Sequence, residues 1–271
     1  MIEGEMKEFL GKAYSAIQEE EVDVLNVMLP RIRELADSGN PYFQEVMGAA
    51  SLEIEKDYPK AYRYLKLAAD ARIPSAQRGL GHMLALGLGV EKDLEMAAAL
   101  FREAAAAGDP FAKYNLANMY LQGLGVPESE EKGTRLLEEA SISGLSVAAA
   151  RLADMKGTVD DYEGARGILE RIVPGGEIPP LSAKNYSAMC YHGMGGPVDK
   201  VKALGGALKT AELGDRGGLE DSRTIASELT AEQILEAISW SKVDDWAQAF
   251  ISYAKIGELD TLAASRLNNP R

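Results

Sequence analysis

The sequence predicts an all-α fold, a solenoid of antiparallel helix pairs with capping helices at both ends, and three observations carry that prediction. Hydrophobic residues make up 46% of the 271 positions and aromatics only 7%. The apolar share is weighted to Ala and Leu, which suits closely packed helices, whereas sheets favour Val, Ile and aromatics. A pattern of 36 residues recurs along the chain, and a fixed period of that size marks stacked supersecondary units. Within each copy the apolar residues fall three and four positions apart, the spacing of one face of a helix.

The first element is a helix over about residues 3 to 18, with Met6, Phe9, Leu10, Ala13 and Ile17 on one face. A second carries Leu29, Ile32, Leu35 and Ala36; Pro30, which has no amide to donate, marks its start or a kink. The repeat is clearest when residues 74–109 are set above 110–145 at an offset of 36. The pairs are then Pro74/Pro110, Ala76/Ala112, Leu80/Leu116, Met83/Met119, Gly87/Gly123, Gly89/Gly125, Val90/Val126, Leu100/Leu136, Ala104/Ala140 and Gly108/Gly144. In the first of these units one helix spans about 75–86 and a second about 93–107, joined by a Gly-x-Gly turn. Gly108 stands where a left-handed cap ends the second helix, and Pro110 where proline opens the next.

Weaker copies flank these two. Residues 41–73 keep Ala61, Leu65, Ala68 and Ala69 in register but lack the Gly-x-Gly turn, and 146–176 keep Ala148, Leu152, Met155, Ile168, Leu169 and Gly176 with the same turn shortened. Residues 180–215 align with 110–145 at an offset of 70, through Asn185/Asn115, Met189/Met119, Gly193/Gly123, Gly195/Gly125 and Pro197/Pro127. Near the C-terminus, Thr230 and Gln233 have the spacing of a capping box ahead of Ile234, Leu235 and Ile238. A further helix is expected through Val243, Trp246, Ala247, Phe250 and Ala254, and a last one over 258–267. The chain thus divides into a capping pair (1–40), a repeat array (41–215, in units 41–73, 74–109, 110–145, 146–176 and 180–215) and a degenerate repeat with capping helices (216–271). Terminal caps cover the apolar ends that any stack of repeats leaves exposed.

This pattern resembles the Sel1-like repeat family, relatives of the tetratricopeptide repeat. Residues 76–108 carry the resemblance through Ala76, Leu80, Gly81, Gly87, Gly89, Val90, Asp93, Ala97, Ala104, Ala105 and Gly108, and 112–144 through Ala112, Leu116, Tyr120, Gly123, Gly125, Val126, Ala140 and Gly144. Many members are cysteine-rich secreted proteins with a disulfide per repeat, and this chain, with Cys190 alone, departs from them. The resemblance implies a right-handed superhelix that acts as an adaptor or scaffold for protein partners, without catalysis. It also implies that the first helix of each pair lines a concave groove. On that basis the partner-binding residues are expected to be Tyr42, Glu45, Arg78, His82, Phe111, Tyr114, Asn118, Asp154, Lys184 and Tyr191.

The remaining chemistry reads as structural. A phosphate-cradling loop needs a strand before it and a helix start after it, usually with a Gly-Lys-Ser/Thr run; "GLGVEKD" at 87–93 follows a helix and has no such run. His82 and His192 have no second His, Cys or carboxylate at metal-ligand spacing, so no metal or cofactor is expected. Cys190 and His192, two apart on a helix, point in different directions, which leaves an enzyme built on them the weakest reading. Trp240 and Trp246 fall in the C-terminal cap and read as packing residues, and the paired acids at 160–161 and 244–245 as solvated turns and helix starts.

Net charge is −13, from 42 acidic and 29 basic residues. That field repels nucleic-acid backbones and anionic membrane surfaces and suits a well-solvated cytoplasmic protein. It also suggests a basic protein partner, and with it a second possibility, an inhibitor or immunity-type protein that neutralises a basic effector. No signal peptide or segment of membrane-spanning length is recognised in the sequence.

Overall fold

The computed structural model describes residues 3–243 and Phe250. All fourteen elements among them are helices, arranged as successive antiparallel pairs. The chain forms two compact units, residues 1–143 and 144–271, so a seam falls inside the array that the sequence marks off as 41–215.

The first unit opens with α1 (Glu3–Gln18) and α2 (Val22–Asp37), which pack on α3 (Pro41–Glu53). The repeat pairs then run α3 with α4 (Tyr58–Asp70), α5 (Pro74–Leu86) with α6 (Leu94–Ala106), and α7 (Pro110–Gln122) with α8 (Glu130–Ile142). The second unit holds α9 (Ser146–Thr158) with α10 (Tyr162–Ile172), α11 (Pro180–His192) with α12 (Lys200–Glu212), and α13 (Arg216–Ala226) followed by α14 (Ala231–Ser241). The first helix of each pair is called A below, the second B. Two expectations need correction or limit. Of the two readings of Pro30, a helix start is excluded: it lies inside α2, where its ring nitrogen has no hydrogen to donate back along the helix. The helices expected beyond Val243 fall outside the described residues, as does Trp246; Phe250 is buried.

Local signals set the ends of these helices. Proline occupies the first turn of α3, α5, α7 and α11, where the missing amide would have had no partner. Each B helix of the five repeat pairs begins at a side-chain cap: Asp57, Asp93, Ser129, Asp161 and Asp199 accept from an amide three residues on. Thr230 and Gln233 form the expected reciprocal capping box at α14. In the three units with Gly-x-Gly, the first glycine is a left-handed C-cap, and the loop closes with identical bonds. Leu88 N donates to Met83 O, Leu124 N to Met119 O and Met194 N to Met189 O, at 2.9, 3.0 and 2.9 Å. The two short hairpins reach a left-handed turn without glycine, through Lys56 (φ 55°) and Asp160 (φ 62°).

Within each unit the core lies between the A and B helices of each pair and between a B helix and the A helix that follows it. Small residues on the A helix admit large ones from B: a Cβ on Gly81 would sit 2.8 Å from the Phe101 ring, and one on Gly48 2.6 Å from Leu65 Cγ. Stacking of the pairs buries Leu65, Met83, Phe101, Leu116 and Leu137 in the first unit and Leu169, Tyr186, Leu204 and Leu208 in the second. The second glycine of the turn serves this stacking. A Cβ on Gly125 would lie 2.1 Å from the carbonyl oxygen of Leu94, at the start of α6, and one on Gly195 2.1 Å from that of Tyr162 at the start of α10. The loop of one repeat rests directly on the backbone of the repeat before it.

Candidate interaction surface

On three A helices, α3, α7 and α11, the second residue projects from the first turn. That position holds Tyr42 on α3 and Phe111 on α7, 54% and 49% exposed, and Leu181 on α11, 61% exposed. Leu181 was not anticipated from the sequence, although its place directly after a helix-opening proline is the same as that of Tyr42 and Phe111.

In the first unit the polar residues expected on this face are tied to one another. Glu45 of α3 is only 5% exposed, and the Tyr14 hydroxyl of α1 donates to its carboxylate. Its place on an open face is therefore corrected: α1 covers it. Burial pushes the Glu45 carboxyl above the usual carboxylate range, against the pull of Tyr14, Ser75 and the Arg78 guanidinium. Desolvation, followed by the charge of Glu45, raises the Tyr14 phenol. Arg78 of α5 donates from Nε to Asp109 Oδ2 at 3.1 Å, and its guanidinium lies 5.2 Å from the centre of the Phe111 ring. Asp109 in turn caps α7 by accepting from Ala112 N at 2.8 Å. Tyr14, Glu45, Arg78, Asp109 and Phe111 thus link α1, α3, α5 and α7 across successive pairs. His82 is exposed, while Tyr114 and Asn118 are half-buried along α7.

In the second unit Lys184 and Tyr191 of α11 line a cleft of about 230 Å³ that α13 closes with Asp221, Thr224 and Ile225. The Tyr191 hydroxyl donates to Glu228 Oε1 at 2.5 Å, and Lys200 Nζ donates to Glu228 Oε2 at 2.6 Å. Those bonds, Lys200 first, hold the Glu228 carboxyl below its ordinary range. Asp154 of α9 is half-buried, and desolvation raises its carboxyl. His192 is exposed, its ring edge-on to Tyr191 at 5.1 Å. Cys190 is fully buried, and desolvation pushes its thiol pKa up, so the thiolate needed for nucleophilic attack is disfavoured. Among the described residues no group of three or more His, Cys, Asp or Glu side chains could hold a metal ion, and no helix is long and apolar enough to cross a membrane.

Comparison with known proteins agrees with this architecture. The family described as Sel1 repeat matches residues 47–72, 74–109, 110–145 and 180–215. It passes over 146–172, where the structure nevertheless forms the α9–α10 pair. A search of curated proteins finds no match. Among solved structures, a Sel1 repeat protein from Oxalobacter formigenes superposes with a TM-score of 0.66 at 28% identity, over 72% of this chain and 59% of that one. A protective antigen present in uropathogenic Escherichia coli strains, described as displaying an SLR fold, superposes with a TM-score of 0.52 at 17% identity, over 89% of this chain and 59% of its own. The chain therefore spans about three fifths of the length of these two proteins.

Proposed function

The chain belongs to the Sel1 repeat family, and from that premise we propose that it is a non-enzymatic scaffold that binds a partner protein or peptide on the A-helix face of each of its two units. The observation that carries the reading is the exposed apolar side chain at the second position of three A helices, Tyr42, Phe111 and Leu181. The core is complete without these side chains, and apolar groups held in water at repeated positions gain free energy when a partner covers them. His82, Tyr114 and Asn118 add hydrogen-bonding groups in the first unit, and Lys184 and Tyr191 do so at the cleft of the second. Such a mixture suits capture of an extended or helical segment.

Three of the A helices differ in charge from the whole chain. α5, α7 and α11 contain no Asp or Glu, and carry Arg78, Lys113 and Lys184. From α3 onward the acids of the A helices are Glu45 and Glu53 on α3, Asp154 on α9 and Glu220 and Asp221 on α13, so the A faces of α5, α7 and α11 are the ones that offer cations to a partner.

The test is a photo-crosslinking amino acid placed at His82 or Phe111, and at Met96 on the exposed side of α6 as a control, in the cell that produces the protein. Defined adducts from positions 82 and 111 and none from 96 support the reading. Adducts from position 96 alone would place binding on another face and refute it.

A further inference from the structure

The B side of the first unit holds a second surface that the A-face reading does not use. Between α6 and α8 lies a groove of about 340 Å³. Leu116 and Tyr120 of α7 and Leu136 of α8 form its apolar lining, and Arg102, Lys132 and Arg135 stand on its rim. Neither Arg102 nor Lys132 has a carboxylate within ion-pair distance among the described residues. Lys132 lies 5.3 Å from the centre of the Tyr120 ring. The one carboxylate in the lining, Glu139, is already engaged by Lys113 at 3.1 Å and Arg135 at 3.2 Å.

Repetition shows that the fold does not require these cations. One repeat earlier, the positions of Arg102, Lys132 and Arg135 hold Lys66, Met96 and Ala99, and Lys66 is paired with Asp70 at 3.1 Å. The same helices pack there without the unpaired charge. In a chain of net charge −13, Arg102 and Lys132 thus leave two unpaired cations beside an apolar floor, with Arg135 shared with Glu139.

The second unit contains a filled version of this surface. At an offset of 70, Leu116 and Arg135 correspond to Tyr186 and Gly205. There the Trp240 ring of α14 stacks on Tyr186, with centroids 5.6 Å apart and an interplanar angle of 18°. A Cβ on Gly205 would lie 2.6 Å from that ring, so the glycine makes room for it. The helix that delivers Trp240, "AEQILEAISWS", carries Glu232 and Glu236 and no basic residue. One copy of the surface is therefore covered by an aromatic anchor on an acidic helix; the other is open and rimmed with cations.

We propose that the α6–α8 groove docks an acidic amphipathic helix of a partner protein, with an aromatic or large aliphatic side chain seated on Leu116, Tyr120 and Leu136 and its carboxylates on Arg102, Lys132 and Arg135. The probe is a fluorescein-labelled peptide of residues 230–241, titrated with the full chain at low salt and followed by anisotropy. Binding should weaken at least about tenfold with Arg102→Glu/Lys132→Glu, with a peptide in which both glutamates are Gln, and with a peptide in which the tryptophan is Ala. Arg223→Glu, an exposed charge change on α13, should leave it unaltered. Circular dichroism of the double variant should match the wild type, since both side chains are exposed. Absence of binding, or equal binding by the Arg102/Lys132 variant, overturns the proposal. So does a single-stranded oligonucleotide that binds more tightly than the peptide and depends on the same two cations.

Discussion

Replacing Gly125 by alanine is expected to destabilise the first unit much more than the same replacement at Gly123, although both glycines occupy the left-handed region, at φ 66° and 64°. An L-residue in that conformation costs about 1–2 kcal/mol, and this cost applies at both sites. The surroundings differ. At Gly123 the nearest atom to an added Cβ is Glu128 Cβ at 3.4 Å, an ordinary contact. At Gly125 it is the carbonyl oxygen of Leu94 at 2.1 Å, with its carbon at 2.3 Å. Backbone at a helix start cannot rotate aside as a side chain can, so the α7–α8 pair must shift from α6 and open part of the apolar stack. Overpacking of that kind costs about 1–3 kcal/mol more. The expected totals are roughly 2–5 kcal/mol for Gly125→Ala and 1–2 kcal/mol for Gly123→Ala. Urea unfolding by far-UV circular dichroism measures the difference, and hydrogen exchange over residues 94–126 locates it at the junction of the repeats. Equal destabilisation by the two variants would refute the idea that the second glycine exists for contact between repeats.

Three further outcomes follow from particular residues. Arg72 takes a left-handed conformation (φ 61°) where Gly108 and Gly144 stand in later repeats, so Arg72→Gly is expected to stabilise by about 0.5–1 kcal/mol, the relieved strain less the backbone entropy of glycine, read from the urea midpoint. The Glu45 carboxyl titrates above its ordinary range when folded, so the folded state binds the extra proton; its contribution is greatest below the unfolded value of about 4.5 and declines as pH rises through the raised one. Compared with Glu45→Gln, the native protein should therefore lose relative stability on going from acid to neutral pH, and a difference curve that rises with pH would contradict the burial argument. Cys190, buried with a raised thiol, should react with a thiol reagent only on unfolding, so labelling in native buffer at the rate of a free thiol would show that α11 and α12 open readily.

The sequence by itself determined the helix pairs, most of their limits, and the family. Those features are written in neighbours: Pro110 opens α7 and Asp93 caps α6 within three residues of their own position. Even α9–α10, outside the family match, was legible from its apolar spacing and shortened turn. Tertiary structure alone decided which polar side chains on the A face were already engaged. Tyr14 meets Glu45, and Arg78 meets Asp109, each 31 residues along the chain, and a single sequence contains no local signal for such pairs. It also decided that Leu181 stands exposed while Glu45 does not, and that Trp240 fills in one repeat what Arg102 and Lys132 rim in another. Helix ends obey forces acting within one turn. Surfaces arise where one repeat is laid against the next, and there the geometry of stacking selects which side chains meet.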